Sequence, residues 1–453
     1  MKQNFENRNP MGYENILPLL IKMSLPVMLS MLIQSLYNIV DSYFVAKLSE
    51  KALRATSLSY PIQIIIIALG VGTGTGLNSL ISRSLGSKKQ EKADQAALHG
   101  LIIATLSSLI FVIFRYTLIN DFFNYFTKDP EVKHLGIEYL SLVSNFAFLS
   151  IIQITIEKTI QGTGKMIWTM IIQLIGAVLN IILDPIMIFG LFGFPAMGIK
   201  GAALATLIGQ GAGAILGIIV LFSNKIDLNM DFSKFKFSKS IIKQIYNVGF
   251  PSIIMQSIAA LVTTIMNLIL IRHSEMAVSI LGIYLKLQSF IFLPVFGLSQ
   301  GVLPLMGYNY GAENKERVKE TFKWGMRLTI IIMLIGTILF QLFPKQLMSI
   351  FSNSQEMINM GAYTLRIISI SFVFAAIGIT NSTFFQALGL GRYSLIVTFL
   401  RQLIIIIPVA YLLSFIGLNW VWAAYPIAEF VSTIVSVILK NKVMERYVDI
   451  LPE

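Results

Sequence analysis

The chain has 453 residues, of which 55% are hydrophobic and 13% charged, with mean hydropathy +0.74, formal net charge +12 and no cysteine. A soluble domain averages about 25% charged residues, so this composition excludes an ordinary soluble fold, and the missing cysteine excludes disulfides and thiolate metal sites. Three scattered histidines (His99, His134 and His273) make no recognisable metal set, and no cofactor is implied.

The opening MKQNFENRNP is polar. The apolar segment from Ile16 is long, contains Pro26 and lacks a small-residue cleavage site, so it reads as a retained membrane helix and not a signal peptide. Apolar runs long enough to cross a bilayer predict spans at 18–45, 54–80, 96–120, 137–160, 168–190, 199–222, 246–271, 279–306, 328–342, 360–385, 395–416 and 422–439. The ninth is short and is expected to extend through Lys323 to Arg327. With the amino terminus inside, the inward segments carry 21 Lys and Arg and the outward ones 7. Such an excess orients the chain with both termini cytoplasmic. The positive charge is therefore a topology signal and an attraction to anionic lipid, not a nucleic-acid footprint.

The chain also resembles itself at an offset of 225: Pro26 with Pro251, Gly86 with Gly311, QGTG at 161–164 with QALG at 386–389, and SRSLGSKKQEKA with GYNYGAENKERV. Six helices per half preserve orientation, so the halves are parallel repeats. The expected fold is an all-α integral membrane protein of twelve transmembrane helices in two pseudo-symmetric parallel six-helix bundles. Its divisions are 1–222, a lysine-rich cytoplasmic connector at 223–243, and 244–453. Transporters commonly place substrate between such halves and expose it alternately to each side.

Polar groups inside apolar runs are the candidate functional residues. Counting from the span ends at the helical rise sets Asp41 about 7–8 Å, Asp184 about 9 Å and Thr206 about 10 Å from the outer boundary. Asn180 lies one turn from Asp184 on the same face. An intramembrane carboxylate costs roughly 2.5–3.5 kcal/mol at mid-helix, so two in one half point to a functional use. Two carboxylates in a low-dielectric layer could share one proton and release it when the cavity opens to water. Asp41, Asn180, Asp184 and Thr206 could equally supply oxygen ligands to a hard cation such as Na+, and the residues leave both uses open. The plainer alternative is local capping near the headgroups, with Lys47 close to Asp41. Pro185 removes the hydrogen bond to Ile181 and is expected to disturb the helix just beyond the acid. Gln34, Tyr37 and Asn38 precede Asp41 and either line a cavity or bond between helices. The GVGTGTG run at 70–76 points to close helix contact in the second span.

The second half repeats neither carboxylate, because the offset maps Asp41 onto Met266 and Asp184 onto Val409. It carries Lys286, Arg366 and Glu429 instead, each six or seven residues from an outer boundary. The expectation is a structural ion pair of Glu429 with Lys286 or Arg366, a gating or coupling role being the alternative. Arg401 and Lys158 sit nearer the inner side, where either could snorkel.

On the residues SLPVMLSMLIQSLYNIVDSYFV (24–45), QGTGK (161–165), LNIILDPIMIFG (179–190), GIKGAALATLIG (198–209), GFPSIIMQ (249–256) and QALGLGR (386–392), the chain resembles the multidrug and toxic compound extrusion family of transporters, bacterial small-exporter branch, over essentially its whole length. The resemblance implies a cation-coupling site in the first half at Asp41, Asn180, Asp184 and Thr206. It also implies export of amphipathic, mostly cationic drugs in exchange for protons or sodium, by a chain functional as a monomer. Some members carry acids on the seventh and tenth helices. Here those spans offer Gln256, Thr263, Asn267, Arg366 and Asn381, which weights coupling towards the first half. An exporter or flippase of an endogenous or lipid-linked metabolite would use the same architecture. A scaffold or receptor would explain neither the duplication nor the polar layer. A prenyl-transfer enzyme would need clustered Asp-rich motifs that are missing.

Overall fold

A computed structural model describes residues 9–452, and among them every regular element is helical. The first repeat comprises α1 (Ile16–Leu48), α2 (Glu50–Gly86), α3 (Gln90–Thr117), α4 (Ile119–Phe126), α5 (Pro130–Asn145), α6 (Ala147–Gly162), α7 (Met166–Phe189) and α8 (Ile199–Leu221). The second comprises α9 (Lys239–Leu270), α10 (Glu275–Gly311), α11 (Lys315–Leu342), α12 (Pro344–Ser349), α13 (Gln355–Ser369), α14 (Ser371–Ala387) and α15 (Gly391–Phe399). A π-helical stretch (Leu400–Ile406) then leads to α16 (Ile407–Ser414), α17 (Leu418–Val421) and α18 (Ala424–Val443). Ten helices are long and apolar enough to cross a membrane, and two bent pairs, α5–α6 (47°) and α13–α14 (43°), make up twelve spans.

The duplication extends to backbone detail. Helices α2, α3, α4, α5, α7 and α8 begin 225 residues before α10, α11, α12, α13, α15 and α18. Lys88 (φ 57°) and Glu313 (φ 58°), 225 apart, both take the left-handed conformation between the second and third spans. Gly164 (φ 83°) and Gly389 (φ 81°), also 225 apart, take it after the fourth. Two repeats with different side chains thus close the same turns in the same way.

Two compact units are present: Leu29–Ile253, called the first unit here, and Met1–Met28 with Ile254–Glu453, the second. This partition differs from the boundaries at 222/223 and 243/244 that the repeat suggests. It cuts inside α1 and α9, directly after the helix-internal prolines Pro26 and Pro251. The lead-in halves of these helices pack where glycine permits backbone contact. In the first unit a Cβ on Gly76 of α2 would lie 2.1 Å from the Ile245 carbonyl oxygen of α9. In the second, a Cβ on the corresponding Gly301 of α10 would lie 2.3 Å from the Ser24 Oγ of α1. Arg317 completes the second contact by donating from Nη2 to the carbonyls of Met11 (3.0 Å) and Glu14 (2.8 Å).

The connector is held along one face of α3. Gln90 Nε2 donates to the Asp227 carbonyl (3.0 Å), and Asp94 Oδ1 accepts from Asn229 N (2.9 Å). Gln95 bonds both Lys234 O (2.7 Å) and Lys236 N (3.0 Å), while His99 Nε2 accepts from Ser238 N (2.9 Å). These partners are backbone groups, so they fix the path of the segment whatever its side chains, and the connector belongs to the first unit.

Candidate functional site

In the first unit, α7 presents Asn180 and Asp184 one turn apart, with 2% and 0% exposure, although both are polar. The helix runs unbroken through Pro185, which leaves the two side chains on one face. Asn180 Nδ2 donates to Asp184 Oδ1 (3.3 Å) and, across to α8, to Thr206 Oγ1 (3.2 Å). From α1, the Asp41 carboxyl comes within hydrogen-bonding reach of Asp184. Lys47 does not serve Asp41, since its Nζ lies 4.7 Å from the centroid of the Tyr43 ring. The structure therefore brings Asp41, Asn180, Asp184 and Thr206 together.

Three buried oxygens here have no hydrogen-bond partner among the described residues: Asp41 Oδ1, Asn180 Oδ1 and Asp184 Oδ2. All are acceptors, and burying an unpaired acceptor costs about 1–3 kcal/mol. Two carboxyl groups in such proximity cannot both stay ionised without a proton or cation between them. A donor set made only of oxygens suits a hard cation such as Na+, with Thr206 Oγ1 as a further ligand. Rotating the Asn180 amide would exchange its donor edge for its acceptor edge, so the same residue can serve the proton-bearing or the cation-bearing form. No group of three or more His, Cys, Asp or Glu with metal-holding geometry occurs among the described residues. That pattern leaves a carboxylate pair assisted by neutral oxygens.

Of the cavity-lining candidates, Tyr37 bonds Gln34 through its side chain and has Asp41, Asp184 and Glu157 in electrostatic range. Gln34 and Asn38 are exposed on α1. In the second unit Gln256 is exposed and Asn267 partly buried on α9.

Glu157 was not anticipated. It is 4% exposed on α6, and both its oxygens are occupied by amides: Oε1 accepts from Gln153 Nε2 (2.9 Å) and Oε2 from Gln173 Nε2 (2.7 Å). The signal was available, because Glu157 lies inside the 137–160 span and carries the same insertion cost as Asp184. Its neighbour Lys158 drew attention as a snorkelling residue, yet Lys158 Nζ instead donates to Gln161 Oε1 (3.1 Å). A third carboxylate therefore belongs to the polar interior of the first unit.

The ion pair expected in the second unit needs correction. Glu429 pairs with Arg401 (Nη1–Oε1 3.0 Å), and not with Lys286 or Arg366. Lys286 is exposed, and Arg366 is exposed with its Nε donating to the Gln341 carbonyl (3.4 Å). The last span starts at Leu418 and not at 422, which sets Glu429 about one turn deeper than the count assumed, level with Arg401. Arg401 accordingly turns inward and does not snorkel.

The MatE family model matches residues 26–186 and 251–412, once per repeat and 225 residues apart. The chain belongs to the MatE family, the multidrug and toxic compound extrusion transporters, and is a transporter, not an enzyme. Among curated relatives it is 28% identical over 435 residues to the multidrug export protein MepA of Staphylococcus haemolyticus, covering 95% of each chain. Among solved structures it is similar to a MOP superfamily transporter from Pyrococcus furiosus, with TM-score 0.91, 27% identity and coverage of 97% and 98%. It is also similar to a multidrug resistance MATE family transporter in an outward-facing conformation, with TM-score 0.90, 26% identity and the same coverage.

Proposed function

We propose that this transporter exports amphipathic, mostly cationic drugs or toxic compounds from the cytoplasm in exchange for an inward-moving proton or sodium ion. The observation that carries the reading is Asp184, bonded by the Asn180 amide with the Asp41 carboxyl within hydrogen-bonding reach, and with no basic side chain among the described residues bonded to either acid. Such a pair has to accept a mobile positive charge to remain buried. Asn180 and Thr206 then orient and ligate, and Glu157 with its two amides is a further buried carboxyl in the same unit. The multidrug export relatives support the substrate class. The excess of Lys and Arg on alternate loops supports cytoplasmic termini.

The coupling follows from differential affinity. When the carboxyl pair holds its ion, the site loses negative charge and with it affinity for a cationic drug. When the ion leaves, that affinity returns. Exchange results if the two ligands favour different conformational states. Reconstituted vesicles carrying a fluorescent cation such as ethidium test the reading. Wild-type protein exports the dye under an imposed proton or sodium gradient, and Asp184→Asn, which stays inserted and folded, does not. Gradient-driven export unchanged in the variant would remove Asp184 from the site.

A further inference from the structure

The second unit holds an intramembrane carboxylate that the mechanism above leaves unused. Glu429 on α18 is paired through Oε1 with Arg401, which stands in the π-helical stretch Leu400–Ile406. The side chains are only 13% and 20% exposed. Segments of π-helix inside longer helices are frequent at functional sites. The pair uses one of the two carboxylate oxygens. Glu429 Oε2 is buried with no hydrogen-bond partner, and so are Gln402 Oε1 in the π-helical stretch and Trp422 Nε1 just before α18. Tyr284 of α10 is buried within electrostatic range of Glu429, and its ring meets that of Tyr425 edge-on at 5.9 Å.

A pair whose only task was to join helices would gain from bidentate geometry, in which the guanidinium engages both oxygens. Well-packed apolar residues would join the same helices equally well. A retained pair that leaves one buried anionic oxygen unpartnered, with Tyr284 in electrostatic range, has the composition of a recognition point for an organic cation. We propose that Glu429 contacts the exported compound: Arg401 holds Oε1, and a protonated nitrogen of the compound donates to Oε2. Arg401 is then a positioning residue that keeps the carboxylate ionised and aimed. The class of ligand is an amphipathic cation with N–H donors, such as an amidinium or protonated amine on an aromatic body. This inference rests on the export reading above.

The test uses full-length protein in vesicles and two probes. One is the diamidine dye DAPI, which carries N–H donors, and the other is tetraphenylphosphonium, which carries none. In Glu429→Gln the amide oxygen still accepts from Arg401, but the second anionic acceptor is gone. The expected result is a KM for DAPI raised about ten- to hundredfold, with a much smaller change for tetraphenylphosphonium. The double variant Arg401→Met with Glu429→Leu, which replaces the pair by apolar groups, is expected to fold and to show the same DAPI-selective loss. An unchanged DAPI KM in either variant, or an equal rise for both probes, overturns the assignment. If wild-type protein exports neither probe under any imposed gradient, the export reading fails and this inference with it. Wild-type export with an unaffected variant defeats this inference alone.

Discussion

The two units each hold an intramembrane carboxylate on the same helix pair, Asp184 on α7 of the α7–α8 pair and Glu429 on α18, the counterpart of α8, and surround it differently. In the first, Asn180 and Asp184 of α7 face Thr206 of α8, Asp41 joins from α1, and no basic side chain among the described residues bonds any of them. In the second, the span that corresponds to α7 supplies Arg401, and α18, which corresponds to α8, supplies Glu429. A guanidinium on a tether cannot leave, so the second site is balanced permanently on one oxygen. On the proposed reading, the first site takes its balancing charge from solution. The same helix pair thus carries a carboxyl without a basic partner in one repeat and an ion pair in the other, and the proposed exchange role belongs to the first.

The comparison can be broken by converting each site into the other. Thr206→Lys would tether a cation beside Asp184. The expected outcome is a folded protein whose gradient-driven dye export falls to that of protein-free vesicles, and retained export would contradict the exchange role. Arg401→Met does the reverse and strands Glu429 in a low dielectric. A loss of about 3–5 kcal/mol is expected for breaking a buried pair, read as a lower thermal midpoint in detergent, with most of it restored when Glu429→Leu is added. Gln173→Leu removes one of the two amides on Glu157 and should cost about 1.5–3 kcal/mol, the range for hydrogen bonds to charged groups, by the same measurement. Lys286→Ala and Arg366→Ala, whose side chains are exposed and do not reach Glu429, should change stability by less than about 0.5 kcal/mol. A large loss at either would restore them as structural partners.

Much of the architecture was legible because hydropathy and duplication are properties of the chain itself. The 225-residue offset read from three short motifs reappears in helix starts and left-handed turns. Asp41, Asn180, Asp184 and Thr206 were legible for a related reason, since polar atoms in apolar runs carry a cost that ordinary packing does not explain. Three features were not. Hydropathy marks a span but not the bundle it packs against, so the cuts after Pro26 and Pro251 depend on the glycine contacts at Gly76 and Gly301. Depth counted from span ends shifts by a turn when an end is misplaced, which gave Glu429 the wrong partner. Glu157 escaped because a charged neighbour, Lys158, offered a plain explanation for polarity at that position.

The central claim is that the Asp41–Asp184 pair takes up the coupling ion. Its most direct test is ion uptake in vesicles holding wild-type protein or Asp184→Asn, with proton and sodium gradients imposed separately and dye export followed in parallel. The account predicts that one of the two ions drives export and enters with it in the wild type, and that the variant neither takes up that ion nor exports dye while remaining folded. Ion uptake and dye export that stay coupled in the variant would contradict it.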